Sequence, residues 1–207
     1  MKIIKPYYVI EEDINPTEIM KTIEKAGRTC YKSEGYIKDG SAERLITSLI
    51  KRGHESVIEH EKLSVRFICD RGVSHEIVRH RVASYSQEST RYCNYSSDKF
   101  GRELTFIKPC FWEEDSPEFK LWKETMEQIE ENYFKMTDIG VPPEQARSIL
   151  PNSLKTEIVT TMNFREWRHF FRMRCDKAAH PQIRELAVPL LYELKEKLPV
   201  LFFDLEF

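Results

Sequence analysis

The chain has 207 residues, 41% of them hydrophobic and 12% aromatic, which is enough for one domain with a real core. Charged residues make up 32%, above the roughly 25% usual in soluble domains, yet the formal net charge is only −2. That balance argues against bulk adhesion to nucleic acid, which needs a basic domain, and no apolar run reaches the roughly 18 residues of a membrane span.

The opening MKIIKPYYVIEEDINP soon turns acidic and has no cleavage site after an apolar core, so no signal peptide is expected. Five scattered cysteines without a CxxC pair support neither a disulfide framework nor a zinc knuckle, and a reducing cytoplasm is the expected compartment. Asn15-Pro16-Thr17-Glu18 offers an N-cap, a Pro at N1 and an acid at N3, which predicts a helix burying Ile19 and Ile23. Ala42, Leu45, Ile46, Leu49 and Ile50 form an amphipathic helical stripe, with Gly53 at its C′ position. Leu63, Val65, Phe67 and Cys69 alternate as a strand does. Asp70-Arg71-Gly72 then predicts a turn, followed by a short helix from about Ser74.

Ser116-Pro117-Glu118 opens a longer helix with the stripe Phe119, Trp122, Met126, Ile129, Tyr133 and Met136, ended by Gly140. Pro142-Pro143 starts a short helix that stops before Pro151. Thr156 to Met162 reads as a strand, and Asn163 caps the helix after it. Pro181 begins a final helix with Ile183, Leu186, Leu190 and Leu194, which Pro189 should kink. The apolar tail Val200-Leu201-Phe202-Phe203 is expected to dock on the body or on another subunit. The fold class that follows is α+β: mixed helices around a small central β-sheet, in a single domain spanning 1–207.

The densest chemistry lies in the fourteen residues from Arg79 to Tyr92, where three guanidiniums, an imidazole, several hydroxyls and an amide occur together. Arginine forks bind phosphate and carboxylate oxygens in bidentate fashion, and a polar loop with Ser and Gln adds donors for a carbonyl-bearing ring. This composition suits a phosphorylated heterocycle; a solvated charged loop is the plain alternative. The second cluster is helical. Trp167, Phe170 and Phe171 mark an apolar face, and Arg174 lies about 20° from Trp167 and about 40° from Phe170 at 100° per residue. Arg165, Arg168, His169 and Arg172 fall on other faces. An arginine on an aromatic face must pair internally, snorkel or meet a ligand; Asp176 and Glu185 are the internal partners available. The third cluster, Gly53 to His60, is not HExxH. It puts His54 and His60 about 120° apart on a helix, so no metal site is expected and His54 reads as a polar loop residue near a ligand. Neither GxGxxG nor GxxxxGK[ST] occurs among the seven glycines, so a nucleotide would have to be held mainly by side chains.

The first cluster has the form Arg79-His80-Arg81, seven residues, then Ser89, followed by Arg91-Tyr92. It resembles the signature of the flavin-dependent thymidylate synthases. Gly53-His54-Glu55-Ser56 with Glu59-His60, Ala146-Arg147 with Leu150-Pro151, Asn163 with Arg165, and Arg174 with Ala178 and His180 occur in that family's order. The resemblance runs from about residue 26 to 190. It implies reductive methylation of dUMP to dTMP, with 5,10-methylenetetrahydrofolate as carbon donor and NADPH-reduced FAD as hydride source, in a homotetramer with shared active sites. It implies FAD contacts for Ser56, Arg79, His80, Arg81, Gln87, Asn163, Phe164, Arg165 and His169. It implies dUMP contacts for Glu76, Arg79, Gln87, Glu88, Ser89, Thr90, Arg91, Arg147 and Arg174, with Arg174 the catalytic residue that meets the uracil ring. Cys30, Glu76 and His169 depart from the commoner pattern of Ser, Gln and Asn, and put individual contacts in doubt. A non-catalytic nucleotide- or RNA-binding module, stacking bases on Tyr85, Tyr92 and Tyr95, is the rival reading; the net charge weighs against it.

Overall fold

The computed structural model describes residues 1–96 and 101–207. Its strands are β1 (Lys2–Ile4), β2 (Tyr7–Ile10), β3 (Lys62–Asp70), β4 (Ala83–Gln87), β5 (Thr105–Ile107) and β6 (Lys155–Asn163). Its helices are α1 (Pro16–Thr29), α2 (Ser41–Lys51), α3 (Arg71–Ile77), α4 (Pro117–Asp138), α5 (Pro143–Ala146), α6 (Phe164–Arg174), α7 (Pro181–Lys197) and α8 (Pro199–Phe202). This is a mixed α/β chain with small sheets: one of four strands in the order β2-β3-β6-β4 and one of two, β1-β5. Residues group into two compact units. One comprises Met1–Tyr7, Phe67–Arg79 and Ser86–Ile158; the other comprises Tyr8–Arg66, His80–Tyr85 and Val159–Phe207.

In the first unit β1 and β5 pair in parallel, with Ile3 opposite Phe106. The predicted turn at residues 70–72 is instead the start of α3. Asp70 caps it, its Oδ1 accepting the Val73 N–H at 2.7 Å, so the helix begins three residues earlier than the sequence pattern places it. Ser116 caps α4 by accepting from Phe119 N–H. The expected stripe is mostly buried: Phe119, Trp122, Met126 and Tyr133 join Phe106, Ala146 and Leu154 in one cluster, while Ile129 and Met136 pack at its margin. Gly140 ends this region at φ +90°, a conformation a side chain would strain.

In the second unit Asn15 caps α1 through the Glu18 N–H, as expected. Ile23 is buried, but Ile19 is only half-buried, and Met20 and Gly27 take the inner face beside it. Gly53, at φ +74°, follows α2 as its left-handed stop. Asn163 caps α6, accepting from the Glu166 N–H at 2.9 Å. Trp167, Phe170 and Phe171 are fully buried, and the Trp167 indole N–H donates to the Leu63 carbonyl at 3.0 Å. Helix α7 continues through Pro189 to Lys197. The tail docks within the unit, with the Phe202 ring 5.7 Å from that of Phe171.

Four of the six strands among the described residues carry no clear sequence signal. β1, β2 and β5 are three or four residues long, too short for period-2 alternation to stand out. The fourth, β4, is polar, and the pattern reads it as a loop.

Arg168 also departs from expectation. The helical wheel places it away from the aromatic face, yet it is fully buried. Its fork meets Asp204 with two bonds of 2.7 Å, and it also donates to Glu55 and to the Leu201 carbonyl. Glu55 accepts in addition from Arg172 at 3.0 Å. Burial alone would push both carboxyls up, but the arginine bonds outweigh it and hold Glu55 and Asp204 below the ordinary range. Depressed folded pKa values give a stabilisation present above the unfolded values, near pH 4, that is lost as pH falls through the folded ones. Asp204→Asn should therefore cost about 1.5 kcal/mol at neutral pH, the low end for a hydrogen bond to a charged group, because Asp204 is screened by solvent and Glu55 still pairs Arg168. It should also flatten the acid limb of the stability profile. Urea unfolding at a series of pH values checks both.

Candidate active site

Asn163 closes β6 and starts α6, so side chains 163–174 project from one rigid helix. The Phe164 N–H donates to the Glu61 carbonyl at 3.1 Å, which fixes that start. A cavity of about 570 Å³ opens in the second unit, its lining including Gly53, Glu59, Asn163, Arg165, His169 and Arg172. Three residues expected at a flavin, Asn163, Arg165 and His169, thus share one cavity. Arg165 is more than half exposed and pairs with an exposed carboxylate, Glu59; such a surface pair is worth at most about 1 kcal/mol and yields readily to an anion. Phe164 is fully buried, with its ring 6.2 Å from that of Phe202, so it seats its neighbours rather than presenting a surface. Ser56 lies exposed on the 3-10 turn Glu55–His60, and His54 and Arg81 are exposed as well.

His80 is buried in the same unit. Its Nδ1 is 3.0 Å from Glu166 Oε1, and the Arg174 Nε donates to its Nε2 at 3.2 Å. The Tyr85 hydroxyl donates to the His80 carbonyl at 2.6 Å. Burial, then the nearby Arg174 charge and His169, push the imidazole down to about 4, so it is neutral at physiological pH. Burial raises the Glu166 carboxyl, against the pull of His169 and Arg165. Burial and the Glu166 charge push the Tyr85 hydroxyl up to about 12. Arg174, which the sequence places on the aromatic face, bonds this imidazole through its Nε. His80, Glu166 and His169 do bring three possible ligand atoms within 4.8 Å of one another. Both nitrogens of His80 are already engaged, however, and a guanidinium stands beside it.

In the first unit the polar stretch is held by side-chain bonds. The Ser74 hydroxyl donates to the Arg71 carbonyl, so it accepts from Gln87 Nε2 at 2.9 Å, and Thr156 receives the same amide at 3.2 Å. The Gln87 amide is thereby fixed in orientation. Glu88 accepts from the Tyr95 hydroxyl at 2.8 Å and from Lys155 Nζ at 2.9 Å, and Lys155 also bonds Glu157. Burial pulls the Lys155 pKa down, but the bonds to Glu157 and Glu88 win and raise it.

Beyond Glu88 the chain makes a tight turn, with Tyr92 and Cys93 N–H groups donating to the Ser89 carbonyl and Ser89 Oγ accepting the Arg91 N–H. Thr90 is buried. Arg91 is exposed, loosely paired with Glu144 at 3.5 Å, and lies over the Tyr92 ring. Arg147 is exposed on the 3-10 turn Arg147–Ile149, Glu76 is half-buried on α3, and Arg79 is exposed just after it. Of the tyrosines the rival reading uses, Tyr95 is buried with its hydroxyl on Glu88 and Tyr85 is half-buried; Tyr92 alone of the three is open to solvent.

Sequence reasoning missed Glu166, Lys155 and Arg168. Glu166 stands three residues after the Asn163 cap, which reads as a helix-start acid. Lys155 sits at the edge of a predicted strand, where a charge reads as solvated. Only the three-dimensional neighbours give either a role.

The chain matches the family model described as thymidylate synthase complementing protein over residues 14–200. A Geobacter sulfurreducens protein named flavin-dependent thymidylate synthase is 37% identical over 188 residues, covering 86% of this chain and 78% of the relative. Proteins of the same name from Pyrococcus furiosus and Thermococcus kodakarensis are 36% and 39% identical. The chain spans 66% and 65% of their lengths, just under two thirds. The crystal structure of a UMP/dUMP methylase from Streptomyces cacaoi bound with 5-Br dUMP superposes with a TM-score of 0.80. That match covers 98% of this chain and 96% of the other at 23% identity, and so speaks to the fold alone.

Lys155→Met should leave Glu88 and Glu157 without their shared cation and cost about 2 kcal/mol, the scale of charge-assisted hydrogen bonds at a partly buried site. Lys155→Arg should restore most of it. Denaturant midpoints of the two variants give the measurement.

Proposed function

This chain belongs to the thymidylate synthase complementing protein family, that of the flavin-dependent thymidylate synthases, and from that membership we propose that it converts dUMP to dTMP by reductive methylation. The methyl carbon comes from 5,10-methylenetetrahydrofolate, and NADPH supplies the reducing equivalents. The family match takes in parts of both units, so we treat 1–207 as one functional domain. Homotetramer assembly with shared active sites and a cytoplasmic location belong to the same proposal. No helix among the described residues is long and apolar enough to cross a membrane.

The cavity beside α6 suits FAD in its donor set. Arg165, Asn163 and His169 line it, and Arg165 can exchange an exposed carboxylate for a diphosphate. His80 and Arg81 follow Arg79 in sequence and, with Arg79, Ser56 and Gln87, complete the proposed cofactor group, while the buried Phe164 serves it only by seating Asn163 and Arg165. Bound FAD supplies the hydride chemistry; the chain orients it and shields it from water.

For dUMP the proposal uses Glu76, Arg79, Gln87, Glu88, Ser89, Thr90, Arg91, Arg147 and Arg174. Ser89 and Arg91 sit on a tight turn, and the weak Arg91 pair with Glu144 gives way easily to phosphate. Ser89 Oγ accepts a backbone N–H, which suits positioning a phosphate rather than attack on the uracil. Arg174 is the catalytic residue. A guanidinium on the uracil edge stabilises negative charge spreading over N3 and O2, which makes C5 the nucleophile. The observation that carries this assignment is that Arg174 is half-buried on the rigid helix α6 and its Nε is held by the neutral His80 imidazole, which fixes where the guanidinium sits.

Purified protein should be yellow, bleach with NADPH, and recover colour on adding methylenetetrahydrofolate with dUMP, forming dTMP. A colourless protein that takes up no added FAD would favour the non-catalytic binding module. Arg174→Ala should keep FAD and lose dTMP formation by about 10²–10³-fold, the usual loss for one preorganised charge stabiliser. Full turnover in that variant would overturn the role of Arg174.

A further inference from the structure

We propose that Glu166 is a positioning residue: by accepting the Nδ1 proton of His80 it fixes the imidazole tautomer whose Nε2 lone pair holds the Arg174 guanidinium. This rests on the reading of Arg174 as the group that faces the uracil.

The tautomer follows from the donors. Arginine Nε carries one hydrogen and accepts nothing. It lies 3.2 Å from His80 Nε2, so Nε2 is the acceptor. A neutral imidazole has one N–H, which must then be on Nδ1, and Nδ1 faces the Glu166 carboxylate at 3.0 Å. An imidazolium would set a second N–H against the guanidinium and is excluded on the same ground. The opposite neutral tautomer would lose both bonds at once, placing a lone pair against a carboxylate oxygen and a hydrogen against a donor.

The arrangement is rigidly carried. Glu166 and Arg174 lie eight residues apart on α6, about 12 Å of helix rise, and His80 bridges their side chains. The His80 ring packs 5.1 Å from Phe170 and 5.4 Å from His169, and its carbonyl takes the Tyr85 hydroxyl. The ionisable groups that face it are therefore Glu166, His169 and Arg174 on α6 and Tyr85 on β4. Glu166 occupies the N3 position of α6, from which an acid commonly reaches back to the cap residue; here its Oε1 is directed at His80. Burial and the neighbouring cation keep the imidazole uncharged down to about pH 4, so the relay holds across the working range. Below that, protonated His80 would repel Arg174.

Nitrogen NMR of histidine-labelled holoprotein tests this, the His80 signals being those lost in His80→Gln among the six histidines. Wild type should give a neutral, Nδ1-protonated ring from pH 8 to about 5. Glu166→Gln, whose amide oxygen still accepts, should keep that tautomer and turnover. Glu166→Ala should release the tautomer and lower kcat roughly tenfold, the worth of one charge-assisted bond, with FAD affinity little changed. An Nε2-protonated or charged ring in wild type at neutral pH would overturn the proposal. So would a Glu166→Ala variant with tautomer and kcat intact, or one whose loss lies in FAD affinity alone. Wild-type protein that makes no dTMP would sink the reaction assignment instead, while the spectra still decide whether Glu166 sets the tautomer.

Discussion

The buried guanidinium of Arg168 is the constraint on which much of the second unit depends. A charge with no access to water is tolerated only when its fork is satisfied. Asp204, Glu55 and the Leu201 carbonyl satisfy its two terminal nitrogens, while its buried Nε has no hydrogen-bond partner among the described residues. The C-terminal segment is thereby tied to the middle of α6 and to the 55–60 turn. Glu55, held by Arg168, in turn places Arg172 at the cavity. One ion network thus sets the position of a tail, a helix and a cavity wall.

Helix α6 carries two kinds of work. Trp167, Phe170 and Phe171 give it a dry aromatic face that locks it in place. From that anchor it projects Arg165, Glu166, His169 and Arg174. A helix held this firmly can keep charged groups at defined distances without relying on loop geometry. The neutral state of His80 belongs with this arrangement: a charged imidazole, itself buried, would stand beside the Arg174 guanidinium.

The way the chain handles polar groups differs from that of glycine-loop nucleotide proteins. Those use backbone N–H groups at a helix N-terminus. Here the groups are side chains, and each is braced by another side chain: Gln87 by Ser74 and Thr156, Glu88 by Tyr95 and Lys155. Bracing of this kind fixes side-chain rotamers in advance. The exposed arginines, Arg91 and Arg165, are by contrast paired with exposed carboxylates, Glu144 and Glu59.

Much of this was legible in the residues. Capping by Asn15, Ser116 and Asn163, the stops at Gly53 and Gly140, and the α2, α4, α6 and α7 stripes are local signals, set by backbone hydrogen bonding and period. The Arg79-to-Arg91 motif is likewise a linear string, so the family could be read from it. The polar strand β4 could not, because its partners are distant in sequence and its own residues carry no apolar alternation. Nor could the burial of Arg168, since a helical wheel describes one helix and the covering segment comes some thirty residues later. The same holds at the site. Sequence singled out His80 and Arg174 separately; only the fold brings them to hydrogen-bonding distance and adds Glu166. Local chemistry decides which elements form and which residues are reactive, while the choice of partner, and so of charge and tautomer, belongs to contacts made across the chain.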